Sequence, residues 1–350
     1  MLLPLSTSTT LELVQATEME NDCQRHNHAD AWKGPLSLEQ YLRREALLAD
    51  QDHTRNGSLV PWALTDSSLA RLANGQRVVL SGAESFLKRA LIKRAGSLEV
   101  EDVICHGVGS VFCPVEYRNR GYTSVLMRLL AKELKNTKRD NDDRRVAFSV
   151  LFSDIGRQFY ARHGWTPFES THVSLAVHSP STPEEDPSRA FPPLPISKPA
   201  LSRDLPKLCQ ADEGMLRKWF DKQQPTSKTI AAIIPDIQTI QWIHAREDFI
   251  CREIMHRSPL TKGAQVSLGQ SKDAWCYWTR VYDSKDPTRA EGNTLYIIRI
   301  VVEEGIDGTE QAVMAVAALL EAAQREAILW NMERVIIWNP SQQTLALVRG

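Results

Sequence analysis

Between Ser110 and Met127 the chain reads as a buried strand, a short basic turn and the opening of an amphipathic helix (SVFCPVEYRNRGYTSVLM). A strand that turns through glycine straight into a helix commits this region to an α/β arrangement. The layout also aims several backbone N–H groups, the positive end of a helix dipole and the side chains of Arg118, Asn119, Arg120, Tyr122, Thr123 and Ser124 at one spot. Such a spot suits a phosphate or pyrophosphate. Gly121 falls where the backbone comes closest, because a Cβ there holds an anion away. The preceding Val111, Phe112 and Cys113 offer strand backbone to an extended cofactor arm. Coenzyme A is the phosphate carrier that such a strand and turn suit best.

The length of 350 residues predicts two domains. Hydrophobic residues make up 42% and the formal charge is -1, so no basic excess points to nucleic acid. Cys23, Cys105, Cys113, Cys209, Cys251 and Cys276 are scattered without a CxxC pair and read as reduced thiols. The opening MLLPLSTSTTLELV lacks a basic n-region and a long apolar core, so no secretory signal is expected. The longest apolar run, Ala312 to Ala323, contains Glu321 and is too short to span a bilayer. A cytoplasmic protein with a small-molecule partner, and neither a nucleic-acid nor a membrane partner, is expected.

Pro180, Pro183, Pro187, Pro192, Pro193, Pro195 and Pro199 crowd one stretch, at a density that excludes helix and inner strand. The predicted organisation is a first domain over 1–178, a Pro-rich linker over 179–200 and a C-terminal α/β domain over 201–350. In the first, Ser37 and Gln40 form a capping-box pattern ahead of a helix from Leu38 to Leu48. Strands are predicted at Trp62–Thr65, Arg77–Ser81 and Val103–Val115, the last bulged at Gly107 or Gly109. Val125, Leu126, Leu129, Leu130 and Leu134 share one face of a helix over Thr123–Leu134. A charged loop (Lys135–Arg144), a strand (Arg145–Ser153), a short helix (Ile155–Arg162) and a last strand (His172–Val177) complete it. In the second half, Leu295–Glu303, Glu310–Leu329 and Glu333–Trp338 repeat strand, helix, strand. There the acidic Glu303-Glu304-Gly305-Ile306-Asp307-Gly308 replaces the basic turn, and acids repel a pyrophosphate.

Arg118-x-x-Gly121-x-Thr123 at a strand-to-helix turn, followed by Phe159-Tyr160-Ala161-Arg162-His163-Gly164-Trp165, resembles the GNAT superfamily of acetyl-CoA-dependent N-acetyltransferases. The resemblance implies a mixed sheet with flanking helices and acetyl-CoA as co-substrate. Thr123 departs from the usual Gly or Ala, and fits if its side chain turns away from the phosphates or bonds to one. Val111-Phe112-Cys113-Pro114, Tyr117 to Tyr122, Ser153-Asp154-Ile155-Gly156 and Ala31-Trp32-Lys33-Gly34 are similar to fungal lysine N-acetyltransferases of lysine catabolism. That narrower likeness implies free L-lysine as acceptor and a divergent, GNAT-like second domain. It also implies further strands after Glu333–Trp338, so the second domain is expected to be incomplete at Gly350.

Acyl transfer needs a neutral amine, an oxyanion donor and a proton for the leaving thiolate. By the resemblance, Val111–Cys113 supply the oxyanion N–H and Tyr160 is the general acid; its plain alternative is a core tyrosine packed on Phe159. Glu116 and Asp154 are candidate bases, or else solvated or capping carboxylates. Cys23-x-x-His26-x-His28 carries metal-ligand residue types, but no second cluster completes four ligands, so no metal is predicted. His106 reads as a strand histidine, and Trp275, Tyr277 and Trp278 as core or as pocket lining. The expected activity is acetyl transfer to the ε-amine of L-lysine. The alternatives are another small amine or secondary metabolite as acceptor, or coenzyme A binding without catalysis.

Overall fold

The computed structural model describes residues 3–137, 143–153, 155–177, 193–269, 273–284, 286, 289–304, 309–340 and 342–349. In chain order the elements begin with β1 (Leu11–Gln15), α1 (Glu18–Trp32), α2 (Leu38–Ala49), β2 (Leu59–Asp66), β3 (Ser81–Lys93) and β4 (Glu101–Phe112). A 3-10 turn (Val115–Tyr117) leads to α3 (Tyr122–Asn136), β5 (Val146–Leu151), α4 (Arg157–Ala161) and β6 (His172–Ala176). Next come β7 (Ser197–Leu201), α5 (Leu205–Lys222), β8 (Ile230–Ile233), α6 (Ile237–Met255) and β9 (Thr261–Ser267). The series closes with β10 (Asp273–Val281), β11 (Thr294–Val302), α7 (Glu310–Leu329), β12 (Arg334–Trp338) and α8 (Gln342–Arg349).

The chain forms two compact units, and they interleave in sequence. One comprises Met1–Lys33, Leu38–Phe168 and Leu216–Gln238; the other comprises Gly34–Ser37, Glu169–Met215 and Thr239–Gly350. In the first, a six-stranded sheet runs β1-β2-β3-β4-β5, with β8 added to the far half of β3. All its pairs are antiparallel except β4–β5, which α3 connects as a parallel crossover. Val125, Leu126, Met127, Leu130 and Leu134 of α3 pack with Trp62, Leu64, Leu80 and Val108 of the sheet region. Leu129, expected on that face, is partly buried against the same cluster. In the second unit the order is β6-β12-β11-β10-β9-β7, and β11–β12 is its parallel pair. Helix α7 joins them, and its Ala312, Ala315, Ala318, Ala323 and Ala327 are all buried. Small side chains on one face let the helix lie close to a sheet. The strand–helix–strand repeat expected in both halves is therefore present.

Several sequence expectations shift. The predicted strand Arg77–Ser81 is irregular up to Leu80, and the strand proper begins at Ser81. Arg77 is tied instead to α1, where Nη2 meets Glu20 Oε2 at 2.7 Å and the backbone N–H donates to Glu20 Oε1 at 3.0 Å. The β4 bulge lies after Gly109: Gly82 pairs Phe112 while Glu84 pairs Gly109, so Ser110 and Val111 together face Ala83. His172–Ala176, expected to end the first domain, pairs with β12 in the second sheet. Residues Ser197–Ala200, inside the expected linker, belong to β7, an edge strand where Pro199 is tolerated because one side needs no partner. Residues 178–192 of that linker and 305–308 of the acidic turn lie outside the described residues.

Candidate active site

The register of β4 creates the opening. Its parallel pairing with β5 stops at Val108↔Leu151, and just beyond it Ser110 and Val111 bulge opposite Ala83 of β3. Ser110 takes φ 52°, a conformation rare outside glycine. Beyond Val108 the β5-facing edge of β4 therefore leaves the pairing with β5. This is the stretch expected to receive an extended cofactor arm.

The turn beyond it ends in the left-handed region twice, at Asn119 (φ 60°) and Gly121 (φ 83°, ψ 3°). Gly121 is the N-cap of α3, no side chain caps the helix, and its first turn carries no acid. The first N–H groups of a helix have no intrahelical acceptor, so this terminus has capacity for an anion. In the direction a Gly121 Cβ would take, however, stands Ser6, with Oγ 3.1 Å from that position. The glycine is thus required by both its φ and a close neighbour, and Ser6 adds a hydroxyl at the turn that the sequence did not flag.

The side chains named from sequence divide. Arg118, Asn119 and Arg120 are exposed on one turn. Arg118 donates from Nε to the Cys113 carbonyl at 3.1 Å and lies 5.3 Å from the Phe112 ring centroid. Thr123 Oγ1 stands 3.4 Å from Ser81 Oγ, so its hydroxyl faces the start of β3. Tyr122 is buried and donates to the Pro4 carbonyl at 2.5 Å. Cys113 donates Sγ–H to the Leu80 carbonyl at 3.4 Å, and burial raises its thiol pKa. Phe112 packs toward α1, edge-on to His28 and Trp32 at 5.8 and 5.7 Å. Val111 and Ser124 are half-buried. The cofactor residues in β4 therefore have only backbone to offer, whereas those in the turn offer backbone and side chains together.

Tyr160 sits on α4 in the same apolar cluster as Val108 and Leu126, with Phe159 edge-on at 4.9 Å. Burial raises its phenol pKa, partly opposed by the Ser153 side chain. A phenol so placed stays protonated at neutral pH, as a proton donor must. Glu116 is exposed on the 3-10 turn, and Asp154 lies outside the described residues.

The residues with metal-ligand spacing have other occupations. His26 Nδ1 lies 2.8 Å from the Asp22 carbonyl, and His28 Nδ1 lies 2.8 Å from the Tyr41 hydroxyl. Burial lowers the pKa of His28 to about 4, so the ring is neutral at pH 7. Among the described residues no three His, Cys, Asp or Glu side chains gather as a metal site. Trp275, Tyr277 and Trp278 are fully buried on β10, in the second unit's core. No described helix is long and apolar enough to cross a membrane.

Sequence reasoning missed Glu84. It lies on β3 opposite Gly109, and its Oε2 accepts the Ser110 hydroxyl at 2.5 Å. Burial raises its carboxyl pKa; Glu45 acts in the same sense, while Ser110 and Arg25 oppose. One carboxylate within an ordinary alternating strand carries no motif, so only the bulge reveals it.

The family described as the LYC1 GNAT-like C-terminal domain matches residues 176–350. The chain is similar to a lysine acetyltransferase of Yarrowia lipolytica, 21% identical over 97% of this chain and 87% of that protein. A GCN5-related N-acetyltransferase from Anabaena variabilis shares the fold with TM-score 0.51 and 11% identity, over 96% of this chain and 68% of that one. A probable N-acyltransferase from Enterococcus faecalis gives TM-score 0.50 and 15% identity, over 95% of this chain and 66% of that one. This chain thus spans just under two thirds of the Enterococcus protein, and at such identities the two structural likenesses concern the fold.

Proposed function

The chain belongs to the LYC1 GNAT-like family of N-acetyltransferases, and on that premise we propose that it moves acetyl from acetyl-CoA to the ε-amine of free L-lysine. The observation that carries the reading is the succession of the β4 edge that parts from β5 beyond Val108 and the uncapped α3 terminus at Gly121. The first suits an amide-bearing arm lying along the strand, and the second suits the pyrophosphate at its end. In this reading acetyl-CoA supplies an activated thioester carbonyl.

The protein's own groups have three tasks. The turn from Arg118 to Ser124 holds the diphosphate by N–H groups, with Arg118 and Arg120 as exposed counter-charges. A β4 backbone N–H near Val111 faces the thioester oxygen and stabilises the charge that develops there. Tyr160 delivers a proton to the departing sulfur. The acceptor must lose its charge before attack. A lysine ε-amine has a reference pKa of about 10.4, so neutrality at pH 7 costs roughly 4.6 kcal/mol without a base or burial. Lysine as acceptor is supported by the Yarrowia relative's name and the sequence resemblance.

The test is thiol release from acetyl-CoA by the purified protein, offered L-lysine, D-lysine, ornithine, polyamines and aromatic amines. Release with L-lysine alone supports the full proposal. Release with a different amine retains acetyl transfer and rejects lysine. Bound acetyl-CoA with no release under any amine makes the protein a coenzyme A binder without catalysis.

A further inference from the structure

Glu84 lies on β3 beside the β4 bulge, one strand from where β4 and β5 part. The residue facing it on β4, Gly109, has no side chain, and a Cβ there would meet only the Phe86 ring edge, at 3.3 Å. The glycine thus lets the Phe86 ring lie close over β4 beside the carboxylate. The bulge also defines what holds that carboxylate: with Ser110 at φ 52°, its hydroxyl turns to Glu84 Oε2. Among the described residues Oε1 makes no hydrogen bond, and Glu84 is only partly buried. It is a carboxylate wrapped by protein yet still touched by solvent.

Two further polar groups nearby lack partners. The Gln24 side chain lies across Gly82, two residues before Glu84, so closely that a Cβ on Gly82 would overlap its Oε1. The buried Gln24 Nε2 and Arg25 Nε find no acceptor among the described residues. Buried polar groups in native proteins are nearly always hydrogen-bonded, so these two groups beside a solvent-touched carboxylate mark a place for a polar ligand or ordered water. The place adjoins the β4 bulge.

We propose that Glu84 is the general base for the acceptor amine, receiving its proton directly or through one water, and that Ser110 is a positioning residue for its carboxylate. The inference rests on the acetyl-transfer reading above. The acceptor arrives as an ammonium, and Glu84 takes one proton to leave a neutral amine. The amine lone pair forms the new N–C bond to the thioester carbonyl carbon, and the C–S bond breaks with its electron pair on sulfur. Tyr160 protonates that sulfur and is reprotonated at the expense of the second amine proton. Glu84 returns its proton to solvent, so each turnover yields the amide, free thiol and one proton.

The surroundings suit the role. An ordinary glutamate has a pKa of about 4.3, far below an ammonium near 10.4, and a higher base pKa narrows that gap. Burial and Glu45 of α2 raise Glu84, while Ser110 of β4 and Arg25 of α1 limit the rise. Glu45 is itself paired with Arg44 at 2.7 Å, so its influence is partly neutralised.

The experiment is Glu84→Gln in the full chain, assayed with acetyl-CoA and the amine that the wild type uses. General-base removal predicts kcat/KM lower by about 100-fold or more. The acid limb of its pH profile should disappear, while coenzyme A affinity by calorimetry stays within about twofold, or roughly 0.4 kcal/mol. Ser110→Ala removes a bond that favours the ionised carboxylate, so the acid limb should move to higher pH. A Glu84→Gln melting temperature within about 2 °C of wild type, with the coenzyme A affinity kept, checks that the loss does not come from misfolding. An undiminished Glu84→Gln enzyme, or one that keeps the acid limb, overturns the proposal alone. A wild type that releases no thiol with any amine overturns the acetyl-transfer reading and the base with it.

Discussion

At Gly121 two requirements coincide, a left-handed backbone and Ser6 within 3.1 Å of any Cβ. Gly121→Asp adds strain, collides with Ser6 and sets a negative charge at the α3 terminus. Coenzyme A affinity should fall by more than about tenfold, the equivalent of 1.4 kcal/mol, and isothermal calorimetry reads it directly; unchanged affinity would reject the phosphate turn. Tyr160 presents the opposite case, since its ring is core and only its hydroxyl is in question. Tyr160→Phe keeps the packing, so coenzyme A binding and melting temperature should hold while kcat drops by about 100-fold. Equal turnover would remove Tyr160 from the chemistry and leave it as a packed aromatic.

At the scale of elements, capping and close approach decide more than propensity. The α1 sequence is strongly polar and shows little apolar periodicity, yet the helix forms on a capping box between Thr17 and Glu20. Glu20 does double duty, because Arg77 also bonds it and holds its carboxyl down to about 2. Glu20→Ala should therefore loosen both the start of α1 and the segment before β3, at about 2 kcal/mol measured by denaturant unfolding. In β9, Gly263 faces the backbone of β10, where a Cβ would lie 2.1 Å from the Cys276 carbonyl oxygen. Neither partner is a movable side-chain tip. Gly263→Ala should destabilise the second unit by about 3 kcal/mol, visible as a lower melting temperature.

For the whole molecule, buried titratable groups give acid stability a predictable course. Burial lowers His28 and His53 to about 4 from an ordinary 6.5. The unfolded chain then binds more protons, so their contribution is full above pH 6.5 and is lost as pH falls toward 4. Glu20 adds a second step: its contribution is full above 4.5 and disappears as pH drops toward 2. Stability followed by urea unfolding should decline in these two windows, and His28→Gln should flatten the first. In the second unit, Glu247 is fully buried between Lys262 and Arg280. Burial disfavours its charge, but the two cations outweigh that and keep the carboxyl below its usual range. Removing one partner of such a group typically costs about 3–5 kcal/mol. Lys262→Ala should thus cost far more than Arg217→Ala, whose partner Asp102 is largely exposed.

The α3 helix, the Gly121 turn, the α7 helix and the strands around it were legible because each is a local pattern, set by apolar spacing or by the φ that glycine alone takes freely. The proposed coenzyme A turn could be singled out for the same reason, being one contiguous stretch. Which strands share a sheet was not readable. β6 lies next to the first unit in sequence but pairs with β12, and β8 returns from the far side of α5 to extend β3. Pairing across such separations depends on which edges and apolar faces meet, and no local spacing records that. The same limit hid Glu84. Its neighbours Ser110 and Arg25 come from two other places in the chain, and only folding brings them to one carboxylate.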